Sequence, residues 1–341
     1  MNNTKLTKEE VISLLTSAHD LHEFEQCDAE TLISYLQYGS ELYAEGGEYN
    51  TSVSFLLNYD YLRQIAAAKI LELPKAYLLM SRPSIPLQID DFGVDGLVLA
   101  TSKKTAETLI REQQKEGRNC FILEIKEKET SDLLGQYFFV YGFEHAIVWN
   151  SQLETSFLLR SDFFDDKEWE KYECFHPNNG LGSKIAVFHQ ALQNYVSSGS
   201  PDSDMMMIRD LEAFGGLMNA EMIVPVKKDK DVKTFTEIEQ LLDHIPLVDS
   251  ENNGAAVKVL PVFTNLCAMT FSMFTNDKYN YTLVAMDDLL DAAAAEYFVI
   301  DMDTIGLTIR KDVLADRFEN IRSFVSEASA AGIIPEEVRN G

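Results

Sequence analysis

An internal repeat constrains this chain more than any single motif does. Residues 258–265 read Lys-Val-Leu-Pro-Val-Phe-Thr-Asn, a short apolar run closed by Thr264 and Asn265 ahead of a helical pattern. Residues 96–102, Gly-Leu-Val-Leu-Ala-Thr-Ser, have the same shape, with Thr101 and Ser102 at the close. The neighbours recur in order. A helical face of Leu62, Ile65, Ala66 and Ile70 precedes a strand pattern at 76–80, and Leu211 and Phe214 precede one at 222–226. Ile85-Pro86-Leu87 is echoed by Ile245-Pro246-Leu247, 120–125 by 281–286, and 146–149 by 298–301. Residues 157–162 match 307–312, which aligns Arg160 with Arg310 and Asp162 with Asp312. A repeat of this kind decides what every later motif means.

The expected fold class is therefore α/β (α+β). It consists of two tandem diverged copies of a mixed, largely antiparallel sheet packed with helices, plus an N-terminal helical extension. The boundaries read as an extension over 1–52, a first unit over 53–164, a linker with one helix over 165–204, and a second unit with a C-terminal helix over 205–341. Thr7 and Glu10 form a capping box for the first helix, and Thr236 and Glu239 form one for an extra helix in the second unit. Asn253-Gly254 marks a hairpin. Leu314, Phe318, Ile321 and Val325 trace one face of the last helix. The Ser/Gly/Pro/Asp run at 197–204 is the best linker.

Charge limits the partners. The 341 residues carry 55 acidic and 29 basic side chains, a net charge of −26. That field repels phosphate backbones, so nucleic acid and anionic membrane are poor partners and a basic protein is a better one. Residues 289–300 form the most apolar run, but Asp291 and Glu296 break it and leave no membrane span. No secretory signal opens the chain. Cys27, Cys120, Cys174 and Cys267 form no C-x-x-C pair and read as reduced cytosolic thiols.

Few residues suggest chemistry. No phosphate loop, Gly-x-Ser-x-Gly or zinc-binding helix motif is present. Asp301 and Asp303, with Asp287 and Asp288 near them in the pattern, are weak candidates for a divalent cation. The plainer expectation is a polar strand end and a helix N-terminus. The close pairs His19/His22 and Cys174/His176 lack a second half at metal-ligand spacing. Arg160, Asp162, Arg310 and Asp312 are polar positions that both copies retain, expected as helix caps and ion pairs, or alternatively as an anion- or partner-binding edge. Thr101 or Ser102, and Thr264 or Asn265, are expected to be helix N-caps rather than catalytic hydroxyls, because no histidine is placed to serve both copies. No catalytic residue and no cofactor is assigned.

The second unit resembles the N-terminal domain of the SseB family. The resemblance rests on Leu260-Pro261-Val262-Phe263-Thr264, Tyr281-Thr282-Leu283-Val284, Leu289-Leu290, Phe298-Val299-Ile300-Asp301 and Leu307-Thr308-Ile309. It is clearest over 204–322, with a weaker second copy over 53–164, where Val98-Leu99-Ala100-Thr101 lacks the proline and phenylalanine. A second copy stands where that family's plan has a distinct C-terminal domain. The resemblance implies a compact α/β domain in a bacterial cytoplasmic protein, without an established activity or agreed catalytic residues. The expected function is a cytoplasmic binding or scaffold protein whose acidic surface meets a basic protein. The alternative is a small-molecule sensor or enzyme with a site in the groove between the two units.

Overall fold

The computed structural model describes residues 6–17, 21–46, 52–81, 85–86, 88–90, 95–165, 177–178, 180–198, 203–228, 245–252, 255–275, 277–292 and 295–330. The helix expected at 236–242, the turn residues Asn253-Gly254 and most of the 197–204 run lie outside them. The chain is mixed α/β and divides into two compact units. Met1–Phe139, Phe143–Tyr172 and Gln193–Ser200 form the first, and Val140–Gly142, Glu173–Leu192 and Pro201–Gly341 form the second.

Unit 1 begins with helices α1 (Lys8–Thr16), α2 (His22–Glu25), α3 (Ala29–Glu45) and α4 (Val53–Leu71). The capping box at the start of α1 is formed, Thr7 Oγ1 accepting from the N–H of Glu10 and Glu10 accepting from the N–H of Thr7. The strands are β1 (Lys75–Ser81), β2 (Ile85–Pro86), β3 (Gln88–Asp90), β4 (Asp95–Ala100), β5 (Cys120–Lys126), β6 (His145–Trp149) and β7 (Thr155–Leu159). β1 runs antiparallel to both β5 and β4, β6 lies parallel to β4, and β7 is antiparallel outside β6. β3 forms a hairpin with β4, and β2 pairs with the end of β1. Helices α5 (Lys103–Lys115), α6 (Glu127–Phe139) and α7 (Arg160–Phe163) follow β4, β5 and β7. Tyr77, Leu79, Val98, Ala100, Ala106, Leu109, Ile110 and Cys120 form a core between one sheet face and α5.

Unit 2 repeats this order. After α8 (Leu181–Ser198) and α9 (Ser203–Met218) come β8 (Glu221–Lys227), β9 (Val248–Asn252), β10 (Ala255–Val262), α10 (Leu266–Phe271), β11 (Tyr279–Ala285), α11 (Met286–Ala292), β12 (Tyr297–Ile300), β13 (Leu307–Arg310) and α12 (Lys311–Ala330). β8 pairs antiparallel with β11, β10 pairs parallel with β12 and antiparallel with β9, and β13 is antiparallel outside β12. A single antiparallel bridge, Ile223 with Phe263, joins β8 to the end of β10. Each pairing has its counterpart in unit 1. The registers agree as well: Tyr77 faces Ala100 where Ile223 faces Phe263, and helix follows strand directly at Lys126 and at Ala285. Thr101 and Thr264 therefore hold the same place.

In unit 1 the β1–β4 contact is a ladder, whereas in unit 2 it is reduced to that one bridge, and two prolines explain the difference. Continuing the bridge register by two residues sets Pro225 opposite Pro261, a position where each strand should donate and neither can. The four-stranded and two-stranded sheets of unit 2 are thus the seven-stranded sheet of unit 1 without a counterpart of β2 and with one seam opened.

The compact units begin earlier than the boundaries expected from sequence. The helical segment 1–52 packs on the first unit and is part of it, α3 lying on α4, with Gly39 against Tyr59, and hydrogen-bonding to the β6–β7 loop. The helix assigned to the linker belongs in the same way to unit 2 over 181–192. Phe188 meets Phe214 of α9 edge-on, and His189 Nδ1 lies 3.2 Å from the Ile305 carbonyl in the β12–β13 loop. Each repeat therefore opens with a helix pair, which the apolar pattern of the strands could not reveal. The Ile-Pro-Leu echo precedes corresponding strands, β3 and β9, but Ile85-Pro86 pairs with β1 while Ile245-Pro246 lies outside any strand. In α12, Leu314, Phe318 and Ile321 are buried while Val325 is exposed.

Candidate functional site: a buried hydroxyl–carboxylate junction

Both copies end their central strand on a threonine followed by a helix N-cap. Ser102 Oγ accepts from the N–H of Thr105 at 3.2 Å, and Asn265 Oδ1 accepts from the N–H of Ala268 at 2.8 Å. The second residue of each pair is therefore the cap. Asn265 Nδ2 also donates to the Val140 carbonyl at 3.1 Å and to Thr264 Oγ1 at 3.2 Å.

The threonines do something else. In unit 1 Thr101 donates its backbone N–H at 3.0 Å and its hydroxyl at 3.3 Å to the backbone carbonyl of Trp149. The hydroxyl also meets the Glu30 carboxylate of α3. In unit 2 Asp301 occupies the place of Trp149, and its carboxylate accepts from the Thr264 N–H at 2.8 Å and hydroxyl at 2.7 Å. Asp301 is fully buried, and no cation lies against it among the described residues. Burial pushes its carboxyl up to about 7, against the two hydrogen bonds from Thr264.

A second buried knot in unit 1 surrounds Asn150. Its amide donates to the Glu30 carbonyl at 3.2 Å, to Ser34 Oγ at 3.1 Å and to Glu154 at 2.7 Å, while its carbonyl accepts from the N–H groups of Gln152 and Glu154. Ser34 also donates to Glu154. Glu30 and Ser34 escaped the sequence reading because they lie in the segment taken for an extension.

The cation candidates are not brought together. Asp303 is exposed in a left-handed conformation, φ 66°, whereas Asp301 is sealed. Asp287 pairs with Arg322 at 2.5 Å in the first turn of α11. Among the described residues no group of three or more His, Cys, Asp or Glu side chains is arranged to hold a metal. His22 pairs with Glu25 at 2.8 Å, while His19, Cys174, His176 and His244 lie outside the described residues.

The shared Arg-x-Asp positions fall out of register. Helix begins at Arg160 in unit 1 but at Lys311 in unit 2, and each residue donates its backbone N–H back to a glutamate carbonyl, Glu144 or Glu296, at 2.8 Å. Arg160 thus corresponds to Lys311 and not to Arg310, which still belongs to its strand. A slip of one residue moves a side chain to the other face. Asp162 is buried, accepts from the Leu159 N–H at 2.8 Å and pairs with Arg63 of α4 at 3.2 Å. Burial raises its carboxyl despite both contacts. Arg310 and Asp312 pair with one another on the exposed surface.

Cys27 and Cys120 are free thiols, whereas Cys267 in α10 is disulfide-bonded, so the reading of four reduced cysteines is corrected there. No described helix is long and apolar enough to cross a membrane. The chain matches no family model, no curated protein and no solved structure.

Proposed function

We propose that this chain is a binding or scaffold protein whose acidic surface recognises a basic protein partner. One observation supports the reading most directly. The polar side chains Thr264, Asn265, Asp301 and Asn150 at the strand ends are turned inward and buried, while among the described residues most acidic side chains of a chain with net charge −26 lie at the surface. Such a surface steers and selects partners by charge. The kinship to the SseB family, carried by Pro261-Val262-Phe263-Thr264 at the bridge of unit 2 and just before its helix cap, belongs to the same proposal. So does a cytoplasmic location, against which the bonded Cys267 weighs, since cytosolic thiols are kept reduced. Alkylation of thiols in intact cells, followed by mass mapping, decides that point. The function is tested by pull-down at low and high salt. A basic partner should be recovered at low salt and lost as salt screens the surface, and recovery of none under either condition overturns the proposal.

A further inference from the structure

Among the described residues, the repeat leaves one strand edge without charged side chains to guard it. β5 and β11 are equivalent strands, each bonded on one side to the first strand of its unit, and no described strand pairs with the other side of either. Registers place Glu124 with Leu283 and Lys126 with Ala285. β5 thus carries charges of the kind that protect sheet edges, and Glu124 is held at 2.6 Å by Lys75. β11, Tyr-Asn-Tyr-Thr-Leu-Val-Ala, has none.

The direction of its backbone groups follows from two bonds. Lys228 donates to the Lys278 carbonyl and Met286 donates to the Ala220 carbonyl, which fixes Asn280, Thr282 and Val284 as the residues bonded to β8. The N–H groups of Leu283 and Ala285 therefore point to the outer edge. Beside them the charge is polarised. Glu221 faces Ala285, and Asp288 and Asp291 follow in α11 beside Asp287, which Arg322 already neutralises, while Lys227, Lys228 and Lys278 gather at the Tyr279 end beside Asp277.

We propose that the outer edge of β11 takes up, by strand addition, an extended basic segment of a partner protein. The segment runs antiparallel to β11, with its basic residues at its own N-terminal end. Main-chain bonds to Leu283 and Ala285 supply affinity, as in other strand additions. An antiparallel segment sets its N-terminus over the acidic end of β11 and keeps its basic residues away from the lysines. This inference rests on the acidic-surface reading and names where and how that surface engages.

The test uses the full chain and a labelled peptide of alternating Val and Thr with two Arg at its N-terminal end, beside the same peptide with the two Arg at its C-terminal end. The first should bind about tenfold more tightly, as expected for two well-placed opposite-charge pairs. It should also slow amide exchange at Leu283 and Ala285. Leu283→Pro removes an outward N–H and no bond to β8, so it should abolish both effects in a protein that still melts cooperatively. Ala285→Pro gives the same reading should the first variant not fold. Equal binding of the two peptides, or no slowing at these amides, overturns the inference. A dimer in sedimentation that Leu283→Pro dissociates overturns it in favour of a second copy as occupant. Polylysine separates the two claims. If it binds wild type and Leu283→Pro alike while neither peptide protects β11, the edge is wrong and the acidic reading stands. If polylysine also fails to bind, both fall.

Discussion

Thr264 gives both its backbone N–H and its hydroxyl to the carboxylate of Asp301, whereas the equivalent Thr101 gives its N–H to the backbone carbonyl of Trp149 and its hydroxyl to that carbonyl and to the Glu30 carboxylate. The exchange follows from one dihedral. Asp301 is left-handed, φ 48°, which turns its own carbonyl toward the N–H groups of Thr304 and Gly306 and away from Thr264. Its side chain then takes over the bonds that the carbonyl makes in unit 1. Asp tolerates this conformation better than most residues. The cost is a carboxyl group in the core with no countercharge among the described residues.

That cost should appear as a pH dependence. The Asp301 carboxyl is raised from an ordinary 3.8 to about 7. Across that window the folded state holds a proton that the unfolded chain has released, so stability falls as pH rises through it and is level on either side. Asp301→Asn should remove this part of the slope. Denaturant midpoints for wild type and variant at about pH 4.5, 6 and 8 isolate it by difference. Parallel profiles for the two proteins would show that the carboxyl titrates normally.

Thr264→Val keeps the shape and deletes the hydroxyl. It strips one of two hydrogen bonds from a buried acid, and a loss of about 1.5–3 kcal/mol is expected where Asp301 is ionised. The loss should shrink at low pH, where a protonated Asp301 needs that donor less. A variant as stable as wild type at alkaline pH would mean that the hydroxyl is dispensable.

The strands were legible in sequence because their apolar runs are too short for most helices and are flanked by Gly, Pro and Asn turn signals. So were the caps, since Ser102 and Asn265 stand where a helix has unpaired N–H groups. The helix pair that opens each repeat was not legible. Helices α3 and α8 have little sequence in common, and what they share is packing on α4 or α9 and on a loop after the parallel strand. Equating Arg160 with Arg310 failed for a related reason. Two short matching strings align equally well one residue apart, and only the strand register shows which alignment is right. Asp301 could be suspected from sequence as a polar strand end. Its burial could not, because burial depends on Thr264 being 37 residues distant along the chain and adjacent in the fold.

Close packing at this junction gives a third expectation. A Cβ on Gly182 in α8 would lie 2.6 Å from the Tyr141 carbonyl oxygen and 3.2 Å from Thr264 Oγ1. Backbone cannot yield as a flexible side chain does, so Gly182→Ala should destabilise the protein by about 1–3 kcal/mol although alanine is the better helix former. Gly215→Ala is the control, since nothing lies within 4 Å of its added Cβ. Thermal melts of the pair should move in opposite directions.

The open seam of unit 2 can be closed by design. Pro225 and Pro261 face each other in the register set by the Ile223–Phe263 bridge, and neither has an N–H to donate. Pro225→Val supplies one donor toward the Pro261 carbonyl without disturbing β11, because Pro225 opposes Tyr281 at a position where β8 and β11 exchange no hydrogen bonds. The seam should then gain a ladder bond like those between β1 and β4, worth about 0.5–1.5 kcal/mol. The introduced amide should exchange slowly with solvent. Pro225→Val with Pro261→Val should add a second slow amide and a further gain. If the new amides exchange as fast as those of an exposed loop, the seam is held open by side-chain packing between β8 and β10, and the missing donors are not its cause.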